Sequence, residues 1–478
     1  MNGRAKLGYA GYLSRAALRW PDKVALRFED RQLTYADLET AAEFAAGHLA
    51  AAGIQSGMRV ALLMENCPEY LISQFALARL GAVFVTPNPY WTTTELAQAL
   101  EAAEVAAAVH ASRFDELVRR FAVTVSDESL TGSTQQSPAV VDVDMRDPLY
   151  IPFSSGTTGL PKGVAHTGES LCGGVDQLRH HLGLSSADRL QMALPLCHIF
   201  GATMSAAALS VGAEITLFRR FDLDTSLRHI KDAGVTIWPL AGTVAHRLAQ
   251  RDDLRREDFS SLRFFMWGGS AVPVELAETI TARTGVRFLC SYGMTEAMMV
   301  AFNRVSEPES WRLDSPGYPT LGTELRLGTA GELEVRGPSV ASGYTGADSQ
   351  AFTPDGWFRT GDLAEIAPDG RLHIVDRIKD VFKVSGFQVA PLEVEHVLLT
   401  HPAVAEAAVI GRRDDRTGEA PVAYVVPRAH PVNSDELAEF VSHRLASYKR
   451  PREYHFVDEL PRTTAGKLQR HRLRDPHG

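Results

Sequence analysis

The chain has 478 residues, 45% of them hydrophobic and 22% charged, with a net charge of -9. The acidic excess, unrelieved by a long basic run, excludes a nucleic-acid binder, and the four cysteines, Cys67, Cys172, Cys197 and Cys290, contain no Cys-x-x-Cys pair and exclude a disulfide framework. The most apolar stretch, residues 72–85, is broken by Gln74 and Arg79, and the N-terminus carries no apolar signal region, so no membrane partner and a cytoplasmic location are expected.

From residue 35 to 80 apolar positions recur at helical spacing, with strand-like runs at 60–63 and 82–85, the alternation expected of α/β layers. Residues 126–138 are rich in Ser, Thr and Gln and read as a surface loop. The run Leu149-Tyr150-Ile151 then leads into residues 153–164, Phe-Ser-Ser-Gly-Thr-Thr-Gly-Leu-Pro-Lys-Gly-Val. Gly156, Gly159 and Gly163 let the backbone turn its N–H groups toward an anion, Ser154, Ser155, Thr157 and Thr158 add hydroxyl donors, and Lys162 adds charge. A Walker loop needs a second glycine where Pro161 stands, so this is a polyphosphate loop of another kind.

A second α/β stretch spans 187–267, with strands expected at 190–194, 214–218 and 262–266. His198 lies within it among apolar residues, with no second ligand at metal spacing; on residues alone it reads as a core histidine. The turn at Gly268-Gly269-Ser270 continues Ala271-Val272, so the Gly-x-Ser-x-Gly elbow of a serine hydrolase is absent. After an apolar strand at 286–289 comes Ser291-Tyr292-Gly293-Met294-Thr295-Glu296. One strand end thus presents a ring able to stack on a purine (Tyr292), a glycine permitting close approach (Gly293), a hydroxyl for a phosphate oxygen (Thr295) and a carboxylate for a magnesium ion (Glu296).

Beyond residue 324 short alternating strands at 331–337 and 370–375 predict a small β-rich subdomain. There Asp362, just past a turn glycine, is a carboxylate able to accept both hydroxyls of a ribose. Residues 376–391 are charged and then glycine-containing, a pattern that suits a hinge followed by a strand turn. A fresh pattern follows, with a helix at 391–400, strands at 407–409 and 421–426 and a helix at 434–445, which marks a second domain of roughly one hundred residues. Near the C-terminus Lys467 sits on a glycine-flanked turn; alone it reads as solvated charge.

Five motifs in this order, spanning nearly the whole chain, resemble the AMP-forming adenylate synthetases: the acyl-CoA and aryl-CoA ligases, firefly luciferase and the adenylation modules of peptide synthetases. The 153–164 loop is most similar in wording to the 4-coumarate-CoA-ligase-like branch. The resemblance implies an α/β fold with a large N-terminal body of two α/β layers plus the β-rich subdomain (1–378) and a small mobile C-terminal α+β lid (379–478). It implies ATP and magnesium as cofactors, with Glu296 and Thr157 at the metal, and Gly268, Gly269, Ser270 and Ala271 as the adenine turn. Asp362 then holds the AMP ribose with help from Arg377, and Lys379 is the pivot. Lys383, Ser385, Gly386 and Gln388 serve adenylation or the acceptor thiol, and Lys467 is the catalytic lysine. His198 and Gly268, with Met298 and Met299 where relatives carry small residues, belong to the acid pocket.

The expected reaction is activation of a small carboxylic acid, aryl or arylacrylic, to acyl-AMP with release of pyrophosphate, followed by transfer to coenzyme A. Alternative acceptors are a carrier protein's pantetheine, an amine, or nitrite in the diazotisation of an amino-aryl acid. An alternative of another class is a non-catalytic nucleotide-binding protein, which is expected to lose Lys467 or Glu296. A monomer or homodimer fits either reading.

Overall fold

The computed structural model describes residues 8–130, 141, 144–154, 162–240, 242–269, 272, 274–346, 350–385, 387–428, 432–462 and 468–474, without the side chains of 243, 330 and 471. Among these, two large sheets form the body. One runs in the order Gly343–Tyr344, Lys162–Thr167, Pro148–Ser154, Val83–Thr86, Arg59–Leu63, Ala107–His110, Val123–Ser126, its last five strands mutually parallel. The other places Phe288–Tyr292, Phe264–Trp267, Ile237–Leu240, Arg189–Met192, Glu214–Leu217 and Val24–Phe28 in a parallel row.

Helices Pro68–Leu80 and Ile199–Ser210 lie in the core shared by the two sheets, and nearly all of their residues are buried. Each is apolar around most of its circumference, as a helix covered on all sides must be. Residues alternate between faces along the strands: Val60 and Leu62 join the shared core, while Ala61 and Leu63 pack under the helices of the outer face. In this doubly wound arrangement the loops that follow the parallel strands gather at one edge, where α/β sheets bind ligands. The strands ending at Ser154, Met192, Trp267 and Tyr292 lead directly into the four body motifs singled out above.

A four-stranded antiparallel sheet, Glu324–Leu327, Glu332–Arg336, Phe358–Ile366 and Leu372–Arg377, is the expected β-rich subdomain. The C-terminal part has its own sheet and core, built on Val404–Asp414 and Gly418–Pro427 with helices Pro391–Leu399 and Ser434–Ser442. These two strands run longer than the apolar cores 407–409 and 421–426 suggested. Their polar ends stay paired as far as Asp414 opposite Gly418, so ladder hydrogen bonds rather than burial set their length. The strand expected at 190–194 stops at Met192, because 193–198 turns away into helix Ile199–Ser210. The surface loop expected at 126–138 begins with Val123–Ser126 and a short 3-10 turn, Asp127–Leu130; residues 131–140 lie outside those described. The four cysteines are free, three of them buried, and no helix among the described residues is long and apolar enough to cross a membrane.

Candidate active site

Asp362 organises one end of the candidate site. It faces Arg377 across the antiparallel pair Phe358–Ile366 and Leu372–Arg377, and this register brings the Arg377 Nε–H to its Oδ1 at 2.8 Å. The Tyr292 hydroxyl donates to the other oxygen, Oδ2, at 2.5 Å. Asp362 is buried. The Tyr292 phenol is raised well above its ordinary value, first by burial and then by the Asp362 charge, so it remains a neutral donor. Each carboxylate oxygen has two lone pairs, so both still have capacity for a further donor.

Tyr292 ends its strand and Gly293 begins a tight turn. The Met294 N–H donates to the Ala297 carbonyl at 2.9 Å and the Val300 N–H to the Tyr292 carbonyl at 3.0 Å. A Cβ on Gly293 would stand 2.1 Å from the Met298 carbonyl oxygen, so only glycine fits. His166, which stands in no motif of the sequence, holds this turn from the other sheet: its Nε2–H donates to the Thr295 carbonyl at 2.7 Å, and Nδ1 lies 3.1 Å from the Ser170 hydroxyl. Burial lowers the His166 imidazole to about 4, against a weaker raising effect of the Thr295 bond, so the ring is neutral at pH 7.

The Glu296 carboxylate is buried and accepts the Tyr344 hydroxyl at 2.9 Å. Lys162 stands over the Tyr344 ring, 5.4 Å from its centroid. Gly343–Tyr344 pairs with Lys162–Thr167, and Ser154 lies opposite Lys162 in the adjoining pair, so both ends of the glycine-rich loop stand beside Glu296. Ser155, Gly156, Thr157, Thr158 and Gly159 lie outside the described residues, as do Ser270, Ala271, Gly386 and Lys467. Gly268 and Gly269 follow strand Phe264–Trp267, Gly269 with a left-handed φ of 82°.

His198 begins helix Ile199–Ser210. Its Nε2 is buried without a hydrogen-bond partner among the described residues, and burial lowers its pKa, so it is neutral at pH 7. Met298 and Met299 are buried in the shared core, and Met298 packs so closely on Gly174 that a Cβ there would meet Sδ at 2.7 Å. A cleft of about 420 Å³ adjoins the His198 loop and is lined by Tyr90, Cys197, Arg219 and Arg220 among others.

The C-terminal residues lie on the far side of Asp376. This fully buried carboxylate, raised by burial and opposed by its backbone donors, accepts the Leu392 N–H at 2.8 Å and so joins strand Leu372–Arg377 to the start of helix Pro391–Leu399. Lys379 is exposed on the turn between Arg377, bonded to Asp362, and Asp380, paired with Arg470. Lys383 and Gln388 face each other in an exposed hairpin, and Ser385 at its tip has a left-handed φ of 51°. Arg462 and Leu468, which flank the segment containing Lys467, pair as a β-bridge. Arg462 meets Glu406 at 2.5 Å, and one guanidinium nitrogen of Arg470 donates to both oxygens of buried Glu395 at 2.7 Å.

The AMP-binding enzyme family matches residues 13–345, and the AMP-binding enzyme C-terminal domain matches residues 393–467. The chain is 36% identical to a 2-succinylbenzoate–CoA ligase of Bacillus licheniformis, over 98% of this chain and 100% of that protein. It is 34% identical to 4-coumarate–CoA ligase 3 of Oryza sativa subsp. japonica, over 92% and 86%. Similar solved structures include the o-succinylbenzoate CoA synthetase of Bacillus subtilis in complex with its acyl-adenylate intermediate, with a TM-score of 0.87, 30% identity and coverage of 97% and 98%. Another is ATP-bound MatB from Rhodopseudomonas palustris, with a TM-score of 0.90, 28% identity and coverage of 98% and 99%.

Proposed function

This chain belongs to the AMP-binding enzyme family, and on that premise we propose that it is an AMP-forming acid–CoA ligase acting on an aryl or arylacrylic acid. The observation that carries the reading is the Asp362 cluster beside Glu296: a buried carboxylate with spare lone pairs, held by Tyr292 and Arg377, next to a second buried carboxylate at the ends of a glycine-rich loop. The first suits the two hydroxyls of a ribose and the second a phosphate-bound cation.

In the first half-reaction an oxygen of the substrate carboxylate attacks the α-phosphorus of ATP, the bond to the bridging oxygen breaks, and pyrophosphate leaves. Asp362 and Arg377 hold the ribose and the Tyr292 ring stacks on the purine. The hydroxyls and N–H groups of the 154–162 segment, with Thr295, receive the phosphates. Glu296 is a hard oxygen donor suited to magnesium, which needs only one or two carboxylates, and Thr157 is assigned with it. Magnesium, when bound, neutralises charge on the phosphates. Lys467 supplies positive charge at the phosphorus, and the Arg462–Glu406 and Arg470–Glu395 pairs give its segment a fixed base. His198 positions the acid, next to Met298 and Met299.

In the second half-reaction the thiol sulfur attacks the acyl carbon, the bond to AMP breaks and the thiol proton is lost. Residues 379–478 act as a lid that turns about Lys379, withdrawing Lys467 and bringing Lys383, Ser385, Gly386 and Gln388 toward the acyl group.

Incubation with ATP, magnesium, coenzyme A and a panel that includes 4-coumarate and 2-succinylbenzoate, with mass-spectrometric detection of AMP and acyl-CoA, tests this reading. Matched AMP and thioester formation is the expected result. AMP without thioester until a holo carrier protein, an amine or nitrite is added would reassign the acceptor. No AMP with any acid would leave the non-catalytic nucleotide-binding reading.

A further inference from the structure

The loop that carries His198 belongs to one sheet, but the side chains that grip it belong to the other. Asn66 follows strand Arg59–Leu63, and Thr86 closes strand Val83–Thr86. The Asn66 Nδ2 donates to the Leu194 carbonyl at 3.0 Å and to the Phe218 carbonyl at 3.1 Å, while its Oδ1 accepts the Leu196 N–H at 2.8 Å. Two carbonyl partners demand a donor and an N–H demands an acceptor, so among side chains of this size only an amide meets all three. The Thr86 hydroxyl donates to the Cys197 carbonyl at 3.0 Å. Asn66 and Thr86 are both buried. Within the loop the His198 N–H donates to the Pro195 carbonyl at 3.1 Å, and Gly201 leaves room for that carbonyl, which would lie 2.4 Å from a Cβ.

Every residue from Leu194 to Cys197 is therefore fixed at its backbone, by Asn66, by Thr86 or by the turn itself, and the next residue is a histidine whose Nε2 is buried without a partner among the described residues. Packing alone does not require two amide hydrogen bonds and a hydroxyl bond to one short loop. A loop fixed at successive backbone groups delivers its next side chain to a defined place, and small displacements of positioning groups cost rate steeply.

We propose that Asn66 and Thr86 are positioning residues for His198, suspending its loop from the opposite sheet so that the imidazole stands at a set place in the acid site. This rests on the reading of His198 as the group that positions the acid. Thr86→Val removes the hydroxyl at nearly constant volume, and Asn66→Asp keeps the acceptor for the Leu196 N–H but loses both donations.

The test uses the full chain and the best acid of the panel above, with ATP–pyrophosphate exchange and thermal unfolding measured for Thr86→Val, Asn66→Asp, His198→Ala and the double variant Thr86→Val/His198→Ala. Thr86→Val should lower kcat/KM for the acid roughly three- to tenfold, with KM for ATP changed by less than about twofold. In the His198→Ala background the same substitution should add less than about twofold, since its route to the reaction is already gone. Asn66→Asp should act in the same direction and more strongly. An equal penalty in both backgrounds, or equal losses for acid and ATP, would mean a merely structural role and overturn the proposal. An unchanged acid dependence in His198→Ala overturns the reading of His198 itself. Hydrogen exchange over residues 194–200 provides a readout independent of turnover: faster exchange in Thr86→Val and Asn66→Asp supports the suspension, and wild-type exchange in both contradicts it.

Discussion

At the Asp362 end of the site the polar atoms of the central cluster are partnered before a ligand arrives; at the His198 end a buried nitrogen has no partner among the described residues. On the function proposed above, the two ends face different demands. A nucleoside has the same ribose and base in each turnover, so a fixed cluster of Tyr292, Asp362 and Arg377 loses nothing by being rigid and avoids reorganisation during reaction. An acid must be oriented by fewer and weaker contacts, and an open imidazole on a firmly held loop leaves its final hydrogen bond to the substrate. If the two ends serve ATP and the acid as proposed, affinity for ATP and selection of the acid are separable in this chain, and substitutions should divide them.

The sharpest division lies at the phosphorus between the two ends. Lys467→Ala is expected to lower adenylate formation by roughly three orders of magnitude, as loss of a charge aimed at the developing transition state does. ATP binding measured by calorimetry should change little. A variant that adenylates at the wild-type rate would remove Lys467 from the mechanism.

Asp362→Ala strikes the paired end alone. It leaves Arg377 and Tyr292 without the carboxylate that satisfied both, and it removes the acceptor assigned to two ribose hydroxyls, each such hydrogen bond to a charged group contributing about 1.5 kcal/mol or more. The expected result is a loss of roughly a hundredfold or more in kcat/KM for ATP, with KM for the acid almost unchanged. Equal losses for both substrates would break the separation of the two ends.

A gentler test uses pH. His166 supports the paired end as a neutral ring, its pKa lowered from the ordinary 6.5 to about 4 by burial. Below pH 6.5 the unfolded chain takes up a proton that the native ring refuses until about pH 4, so the unfolded state binds more protons and stability falls as pH falls through this window. The contribution is complete above pH 6.5 and lost by about pH 4, with a slope of about 1.4 kcal/mol per pH unit for one such group. His181, also lowered to about 4, first by burial and then by His180, adds with the same sign. Denaturant unfolding at pH 7 and 5 should show a shallower pH dependence in His166→Gln, whose amide can still donate to the Thr295 carbonyl. An unchanged slope would show that His166 does not titrate as described.

The motifs that end the parallel strands were legible because turn chemistry is local: glycines, hydroxyls and a carboxylate within one turn announce a phosphate or metal site wherever the strand leads. Asp362 and Arg377 were legible as single residues, but their ion pair was not, since it depends on the register of two strands fifteen residues apart in the chain. His166, Tyr344, Asn66 and Thr86 carried no signal. Each acts on a partner 48 to 152 residues away, and a histidine in Gly163-Val164-Ala165-His166 looks like any strand residue. Strand lengths in the C-terminal sheet were underestimated because an apolar run marks only the buried part of a ladder. His198 shows the opposite limit: its apolar neighbours suggested a core residue, and nothing in the sequence could indicate that its ring nitrogen lacks a partner.

The smallest expected effect is also the most specific to the comparison. Tyr292→Phe keeps the ring proposed to stack on the purine and removes only the hydroxyl that donates to Asp362 at 2.5 Å. Arg377 remains on the other oxygen, so Asp362 keeps its charge partner and gains one free lone pair, which water or the ribose can fill. Loss of one hydrogen bond to a charged group costs about 1.5 kcal/mol before such replacement, so KM for ATP should rise by roughly three- to tenfold. If the hydroxyl serves only to fix Asp362, the rise should be confined to ATP and should vanish in an Asp362→Ala background, where the bond no longer exists. If instead Tyr292→Phe costs as much without Asp362 as with it, the hydroxyl acts on the nucleotide directly, and the paired end is less self-contained than its hydrogen bonds imply.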